Sequence, residues 1–550
     1  MTNIFKTTFL SVTLGSMLLA TSAEACTNLL VGKKASVTGS TMISYAADSH
    51  GLYGELYYTP AADHAPGTMR QVYEWDTNKY LGEIPQVAHT YRVVGNMNEH
   101  QLTVAESTWG GHAFLQDTTG IIDYGSLIQI TLERATNARE AIEVMTSLVA
   151  EYGYYSGGES FSIGDPNEIW VLEMIGKGPG NKGAVWVAQR IPDDCISGHA
   201  NQARIHKFPL KDKKNCLYSK DVISFAREKG LFSGKDEDFD FCKAYAEQDY
   251  MAFRGCDGRV WAYFNRYASG MDRYFPFVDM QPNAEILPLY VKPDRLLTHR
   301  DVQTAMRDHF EGTPWDMTQD VGGGPFHSPY RFRPMSFEVD SVTYTHERAI
   351  ATQQTGFVFV AEMRGWLPNP VGGKIWFGVD DAATAVFTPV YVGINETPWC
   401  FRVGNGDLLN FSWTSAFWMN NWIANQAYAR YDAMIVDIAA VRDSLEDRFD
   451  AQQAEVDAKA AALWKEDTAK AMQYLTQYSA DEANGATARY KDLGIYLLVK
   501  YLDGNVKREK DGKFERTETG LPASPLHPRY SEDFYRAIVN QRGDAIRVKK

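Results

Sequence analysis

Cys26 follows Ala23-Glu24-Ala25, whose outer residues form an A-x-A cleavage site. Ahead of them lie Lys6 and an apolar run from Phe9 to Leu19, so residues 1–25 read as a secretory signal peptide, too short for a stable membrane span. Cleavage after Ala25 puts a thiol and a free α-amine on one residue. Such an amine titrates near pH ~7.7–8.0, so it can take the thiol's proton, directly or through a water, without a histidine. The chemistry is nucleophilic catalysis by an N-terminal residue. Two other readings of Cys26 stand beside it. One is a lipid-anchored cysteine, but Ala23 and Glu24 occupy the places where a lipoprotein signal carries Leu and a small residue. The other is a disulfide partner that adjoins the cleavage site.

Much of the familiar catalytic vocabulary is missing. The sequence has no H-E-x-x-H, no G-x-S-x-G and no Walker loop. Gly176-Lys177-Gly178-Pro179-Gly180 lacks a terminal G-K-[ST] and reads as a turn between strands, and His346-Glu347 has no second histidine at helical spacing. With no C-x-x-C pair, a structural zinc site is not expected, nor is any other metal or cofactor. The six cysteines are few for 550 residues, and Cys242–Cys256 is a reasonable short disulfide loop in an oxidising compartment.

The elements that must position Cys26 are mostly strands. Thr27–Val31 and Ser40–Ala46 flank a turn at Gly32-Lys33-Lys34. Further strands are predicted at 54–59, 88–94, 101–106, 126–132, 160–163, 169–174 and 184–189, then at 336–344, 356–360, 374–378 and 385–392. A helix fits Ala138–Glu151, and residues 210–330 read as irregular. From Ser415 the character changes: Tyr431, Ile435, Ile438, Val441, Leu445 and Phe449 recur at helical spacing, with helix on to about Tyr478 and another over Ala486–Tyr501. Residues 504–530 read as a mobile loop or extended arm. Strands without regular β-α-β alternation make this an α+β chain. The expected division is a signal peptide over 1–25, a catalytic domain over 26–415 and a mainly helical region over 416–550.

The net charge of −14, unchanged by loss of residues 1–25, argues against nucleic acid or an anionic membrane as partner. After Leu19 no apolar stretch approaches the roughly 20 residues of a spanning helix. An exported, periplasmic or secreted protein is expected.

The run Cys26-Thr27-Asn28-Leu29-Leu30-Val31-Gly32-Lys33-Lys34-Ala35-Ser36, continuing through Gly39-Ser40-Thr41 to Asp48-Ser49, resembles the mature N-terminus of the dipeptidase A-like cysteine peptidases. These are N-terminal-nucleophile (Ntn) hydrolases, related to penicillin V acylases and bile salt hydrolases. Similar blocks follow at Gly95–His100, His199–Ile205, Ser328–Pro334, Ala351–Phe357 and Trp376–Ala382. The resemblance implies the four-layer αββα Ntn fold and a dipeptide or short-peptide substrate. It implies Cys26 as nucleophile, Asp48 as the carboxylate that orients its amine, and Asn201 as a donor to the oxyanion. Where the acylases carry an arginine, this chain has Tyr45, a departure that leaves the thiolate to be stabilised otherwise. Tyr45 also fits as a core aromatic. Arg331 is a distant match to a second arginine, with Arg333 competing for the role. Asp380-Asp381 are candidates to bind a substrate's free amine, although paired acids at a strand end also serve as turn or capping residues.

The reading is an exported cysteine dipeptidase. The alternatives are an acylase of the penicillin V acylase or bile salt hydrolase type, and a non-catalytic binding protein on the same fold.

Overall fold

The computed structural model describes residues 26–549. Two sheets carry the architecture. In the first, seven strands run in the order Tyr290–Val291, Ile196–His199, Thr27–Val31, Thr41–Asp48, Thr355–Met363, Gly373–Val379 and Thr388–Tyr391. The second has eight, in the order Cys216–Tyr218, Ala184–Ile191, Ile169–Gly176, Gly158–Gly164, Thr103–Gly110, Met97–Asn98, Val93–Val94 and Tyr58–Thr59. Every strand pairing within the two sheets is antiparallel. The sheets face each other, and helices cover their outer faces.

Period-two alternation sorts the side chains between these layers. Leu30, Ile43, Tyr45 and Phe359 of the first sheet meet Ala105, Val171 and Val187 of the second in one buried cluster. Their neighbours Leu29, Val31, Met42, Ala46 and Val358 turn the other way, onto Val260, Trp261, Val302 and Met306 of the helices Gly258–Tyr267 and His299–Met306. On the far side Val104, Phe161, Trp170 and Leu172 pack on the helices Tyr124–Arg134 and Ala138–Tyr152.

The 126–132 segment departs from its predicted strand. Asp123 accepts hydrogen bonds from the backbone N–H of Gly125 and Ser126 and so starts a helix over it. The 210–330 region, expected to be irregular, holds several short helices. The C-terminal helical run breaks at Asp467, not between 478 and 486. There the Asp467 carboxylate accepts from the N–H of Ala469 and Lys470, ending the helix Tyr431–Glu466 and capping Thr468–Lys500. These helices share buried clusters with the first sheet: Leu475 and Ala483 join its inner face, Tyr490 and Leu497 its outer one. An ion pair from Arg364, at the end of the Thr355–Met363 strand, to Asp457 ties sheet to helix. Residues 504–530 include a two-stranded hairpin, Glu509–Lys510 with Lys513–Phe514. Among the described residues no helix is long and apolar enough to cross a membrane.

Candidate active site

Antiparallel pairing of Thr27 with Ala46 leaves Cys26 at the end of the central strand pair, beside Tyr45 and Ala47. Its thiol lies 3% exposed in the inter-sheet cluster with them. The Tyr45 hydroxyl is 3.6 Å from Cys26 Sγ and donates at 2.5 Å to Glu106 Oε1. Cys26 Sγ donates to the same oxygen at 3.4 Å. Glu106 belongs to the Thr103–Gly110 strand, whose main chain is fixed here by Asn28 Nδ2 donating to the Glu106 carbonyl at 2.5 Å. Tyr45 serves the core and the thiol's surroundings together. Its ring packs edge-on against Phe357 and Phe359, and its hydroxyl reaches the sulfur. Burial, then the nearby Cys26 and Glu106, push its phenol well above the ordinary value, so it stays a proton donor.

Asp48 ends the same strand. It accepts from Arg348 Nη2 and from Thr355 Oγ1, each at 2.6 Å. Burial pushes its carboxyl up, and Arg348 and Thr355 pull it back.

Asn201 follows the Ile196–His199 strand in a left-handed conformation at φ +57°, one that asparagine tolerates. Its Nδ2 donates to the Thr108 carbonyl at 2.7 Å. The link between Asn201 and Cys26 is Arg259, from the helix Gly258–Tyr267. Its Nη1 donates to the Cys26 carbonyl at 2.9 Å and to Thr27 Oγ1 at 2.7 Å, and its Nη2 to the Ala200 carbonyl at 3.0 Å and to Asn201 Oδ1 at 2.9 Å. Burial lowers the guanidinium to about 10, which leaves it charged at neutral pH beside the nucleophile's own backbone. His199, two residues before Asn201, is bound on both nitrogens by the hydroxyls of Ser107 and Ser162, at 2.6 and 2.7 Å. Burial lowers its imidazole to about 3, so it is neutral.

Cys26, Tyr45 and Asp48 line one cavity of about 680 Å³. Its walls are aromatic, with Tyr53, Tyr57, Tyr73, Trp75, Tyr124 and Phe357, and among the described residues its ionised groups are all acids: Asp48, Glu55, Glu74 and Asp76. No lysine, arginine or histidine is among the described residues that line it.

Other expected residues lie elsewhere. Arg331 is bound to Asp320 Oδ1 at 2.7 Å and to the Met317 carbonyl at 2.8 Å, and it does not line the cavity. Its competitor Arg333 lies closer: its guanidinium feels Arg348 and Asp48, and it bonds Gln354, whose Nε2 donates to the Asp48 carbonyl at 3.3 Å. Asp380 and Asp381 do not line the cavity either. Asp381 is buried and accepts from the Tyr428 hydroxyl at 2.9 Å and from the backbone N–H of Ala383, so the pair is in its turn-and-capping role. Cys242 and Cys256 form no disulfide. Cys242 is buried and instead takes hydrogen bonds from Gln202 and Gln248. Among the described residues no three His, Cys, Asp or Glu side chains group to hold a metal ion.

Asp380 carries a stability prediction. Burial first, then Asp381, raise its carboxyl to about 7. Between about pH 4 and 7 the folded chain therefore holds a proton that the unfolded chain has released, and stability falls as pH rises through that window. D380N keeps an acceptor for Asn421 Nδ2 and suits the φ of +65°. Its melting temperature is expected to exceed that of wild type by a few degrees at pH 8 and not at pH 4. Equal melting at both would show that the carboxyl ionises normally.

The match to peptidase family C69 covers residues 25–65 and 55–444. Over 428 residues the chain is 25% identical to a probable dipeptidase of Latilactobacillus sakei, covering 74% of this chain and 82% of the relative. A probable dipeptidase of Salmonella dublin is 24% identical over 395 residues, covering 68% and 82%. A dipeptidase of Bifidobacterium longum is also 24% identical, over 415 residues, covering 68% and 72%. An α+β fold with a thiol in the wall of its cavity thus falls among the peptidases. The chain belongs to peptidase family C69.

Proposed function

We propose that the protein is an exported N-terminal-nucleophile cysteine peptidase that hydrolyses dipeptides or short peptides with a free amino terminus. The observation that carries this is the cavity: the Cys26 thiol is in its wall, and its ionised lining residues are acids. A dipeptide brings an α-ammonium, which such a lining attracts, and its scissile carbonyl lies only one residue away. The relatives named dipeptidases support the same substrate class. Two sheets face to face with helices outside fit the four-layer αββα arrangement of Ntn hydrolases.

In this mechanism, removal of residues 1–25 frees the Cys26 amine. Asp48, steadied by Arg348 and Thr355, orients that amine, which takes the thiol's proton and hands it to the leaving nitrogen. Sulfur attacks the scissile carbonyl, and the amide of Asn201 joins backbone N–H groups at the oxyanion. The first product amine leaves and water hydrolyses the thioester. Arg259 supplies the fixed positive charge that Tyr45 cannot, and it locks the Asn201 loop to the nucleophile strand.

The test is Edman sequencing and intact mass of the exported protein. The expected result is a chain that starts at Cys26 with an unmodified amine. A start elsewhere, or an acylated cysteine, removes the mechanism.

A further inference from the structure

We propose that Trp75 is a specificity-determining residue: its ring receives the side chain of the substrate's first residue and selects dipeptides in which that side chain is large and apolar or aromatic. The assignment rests on the cavity being the peptidase site of Cys26. Trp75 sits at the tip of the hairpin that pairs Met69–Tyr73 with Tyr80–Pro85, and it lines the cavity with its chain neighbours Glu74 and Asp76. The tip is pinned at several points. The Trp75 backbone N–H donates at 3.0 Å to Asp123 Oδ2, the carboxylate that also caps the helix Tyr124–Arg134. The Tyr124 hydroxyl donates to Asp76 Oδ1 at 2.7 Å, and Ser126 Oγ donates to the Tyr73 carbonyl at 2.7 Å. Trp75 passes Gly125 so closely that a Cβ there would run into its Cβ and Cγ, so only glycine leaves it room. Yet the side chain stays 40% exposed in the cavity wall. A large ring held this firmly with a face left bare needs little further ordering to bind a guest.

The tip also stands close to the reacting atoms. Burial above all, and also the charge of Asp76, raise the carboxyl of Glu106, the residue that accepts from Cys26 Sγ. Tyr53, Glu55 and Tyr57 line the same cavity, while Leu56 turns into the core. Tyr57 meets Trp75 edge to face, with ring centroids 5.0 Å apart. Glu55 therefore lies beside this aromatic pair. The amine and the side chain of a first residue leave the same carbon atom. A dipeptide that brings its ammonium to Glu55 and its carbonyl to Cys26 thus lays its first side chain on Trp75 and Tyr57. The remaining lining suits an apolar guest, with Leu52, Ile128, Leu132 and Phe357. Glu74 and Asp76 already accept from the Thr77 and Tyr124 hydroxyls, which leaves the indole as the least engaged surface of the tip.

The test measures kcat/KM of the mature, signal-cleaved enzyme on Phe-Ala, Leu-Ala, Lys-Ala, Glu-Ala and Gly-Ala, beside thermal melting. The wild type is expected to favour Phe-Ala and Leu-Ala over Gly-Ala by at least about 10-fold. Trp75→Ala should lower the ratio of Leu-Ala to Gly-Ala by about 10–100-fold, mostly through KM. A merely structural tryptophan would lower all five rates together and leave the ratio alone. Gly125→Ala keeps the tryptophan but displaces it, so it should lower the same ratio, which tests the assignment even if Trp75→Ala fails to fold. An unchanged ratio in either folded variant overturns it. So does a wild type that cuts Lys-Ala fastest, which would make the ring a seat for a cationic side chain, or one that shows no preference among the five. If a chain with a free Cys26 amine cuts none of them, the peptidase reading has failed first, and the assignment falls with it.

Discussion

Cys26→Ala is expected to reduce dipeptide hydrolysis to background, a loss of at least about 10⁴-fold, while the protein still folds. The side chain lost is small. Its sulfur meets the Tyr45 hydroxyl and Glu106, which stay bonded to each other without it, so the sheet around it has little to rearrange. Arg259 holds residue 26 through its backbone carbonyl, an anchor that alanine keeps. Cys26→Ser keeps the amine and a hydroxyl in place, but the hydroxyl proton is far harder to remove near neutral pH, so only a trace of activity should remain. Turnover is measured beside thermal melting. An alanine variant that melts like wild type and still turns over would place the chemistry on another residue.

What was legible in the sequence was what lies close together along the chain. The Cys26–Asp48 spacing survives because it is one strand, one turn and one strand, and the register that pairs Thr27 with Ala46 brings the two ends to the cavity. The Asn201 block was visible for the same reason: it directly follows a strand that pairs with Thr27–Val31. Glu106, Arg259 and Arg348 gave no such signal. Glu106 is one acid in an otherwise ordinary strand, 80 residues from Cys26, and it meets the thiol only because two sheets stack. Arg259 lies 233 residues away on a helix from a region that read as irregular. Arg348 lies 300 residues from Asp48. No periodicity marks a buried polar residue whose partner comes from another layer.

The errors have physical causes too. In Ser126–Leu132, β-branched isoleucines favoured a strand, but the Asp123 cap and burial against the second sheet decided for helix. Asp380-Asp381 lie at a strand end in the family-like block, yet strand ends are also where acids cap turns, and that use prevailed. The cavity's own acids were invisible because Glu55, Glu74 and Asp76 sit in loop and hairpin segments whose shared destination is set by tertiary folding alone.

N-acetylated dipeptides are expected to be hydrolysed at least about 100-fold more slowly, in kcat/KM, than the same dipeptides with a free amine. The cavity beside Cys26 offers Glu55, Glu74 and Asp76, and among the described residues no basic group lines it to compensate them. An α-ammonium entering it is attracted by the field of these acids, and acetylation removes that attraction while adding bulk. Glu55 is the strongest candidate. It is half-buried beside the loop whose Gly404 N–H it accepts at 2.9 Å, and burial raises its carboxyl, so it gains most from a cationic partner. Glu55→Gln, Glu74→Gln and Asp76→Asn should therefore raise KM for free dipeptides and narrow the gap to acetylated ones. D380N, outside the cavity, should leave KM unchanged. The panel also includes penicillin V and a glycine-conjugated bile acid. If acetylated peptides or these acyl amides are cut as fast as free dipeptides, the protein is an acylase and the acids serve another purpose. If a protein shown to carry a free Cys26 amine cuts nothing in the panel, the fold is serving binding, and the cavity's acidic lining becomes the recognition surface for a cationic ligand that is held and not cleaved.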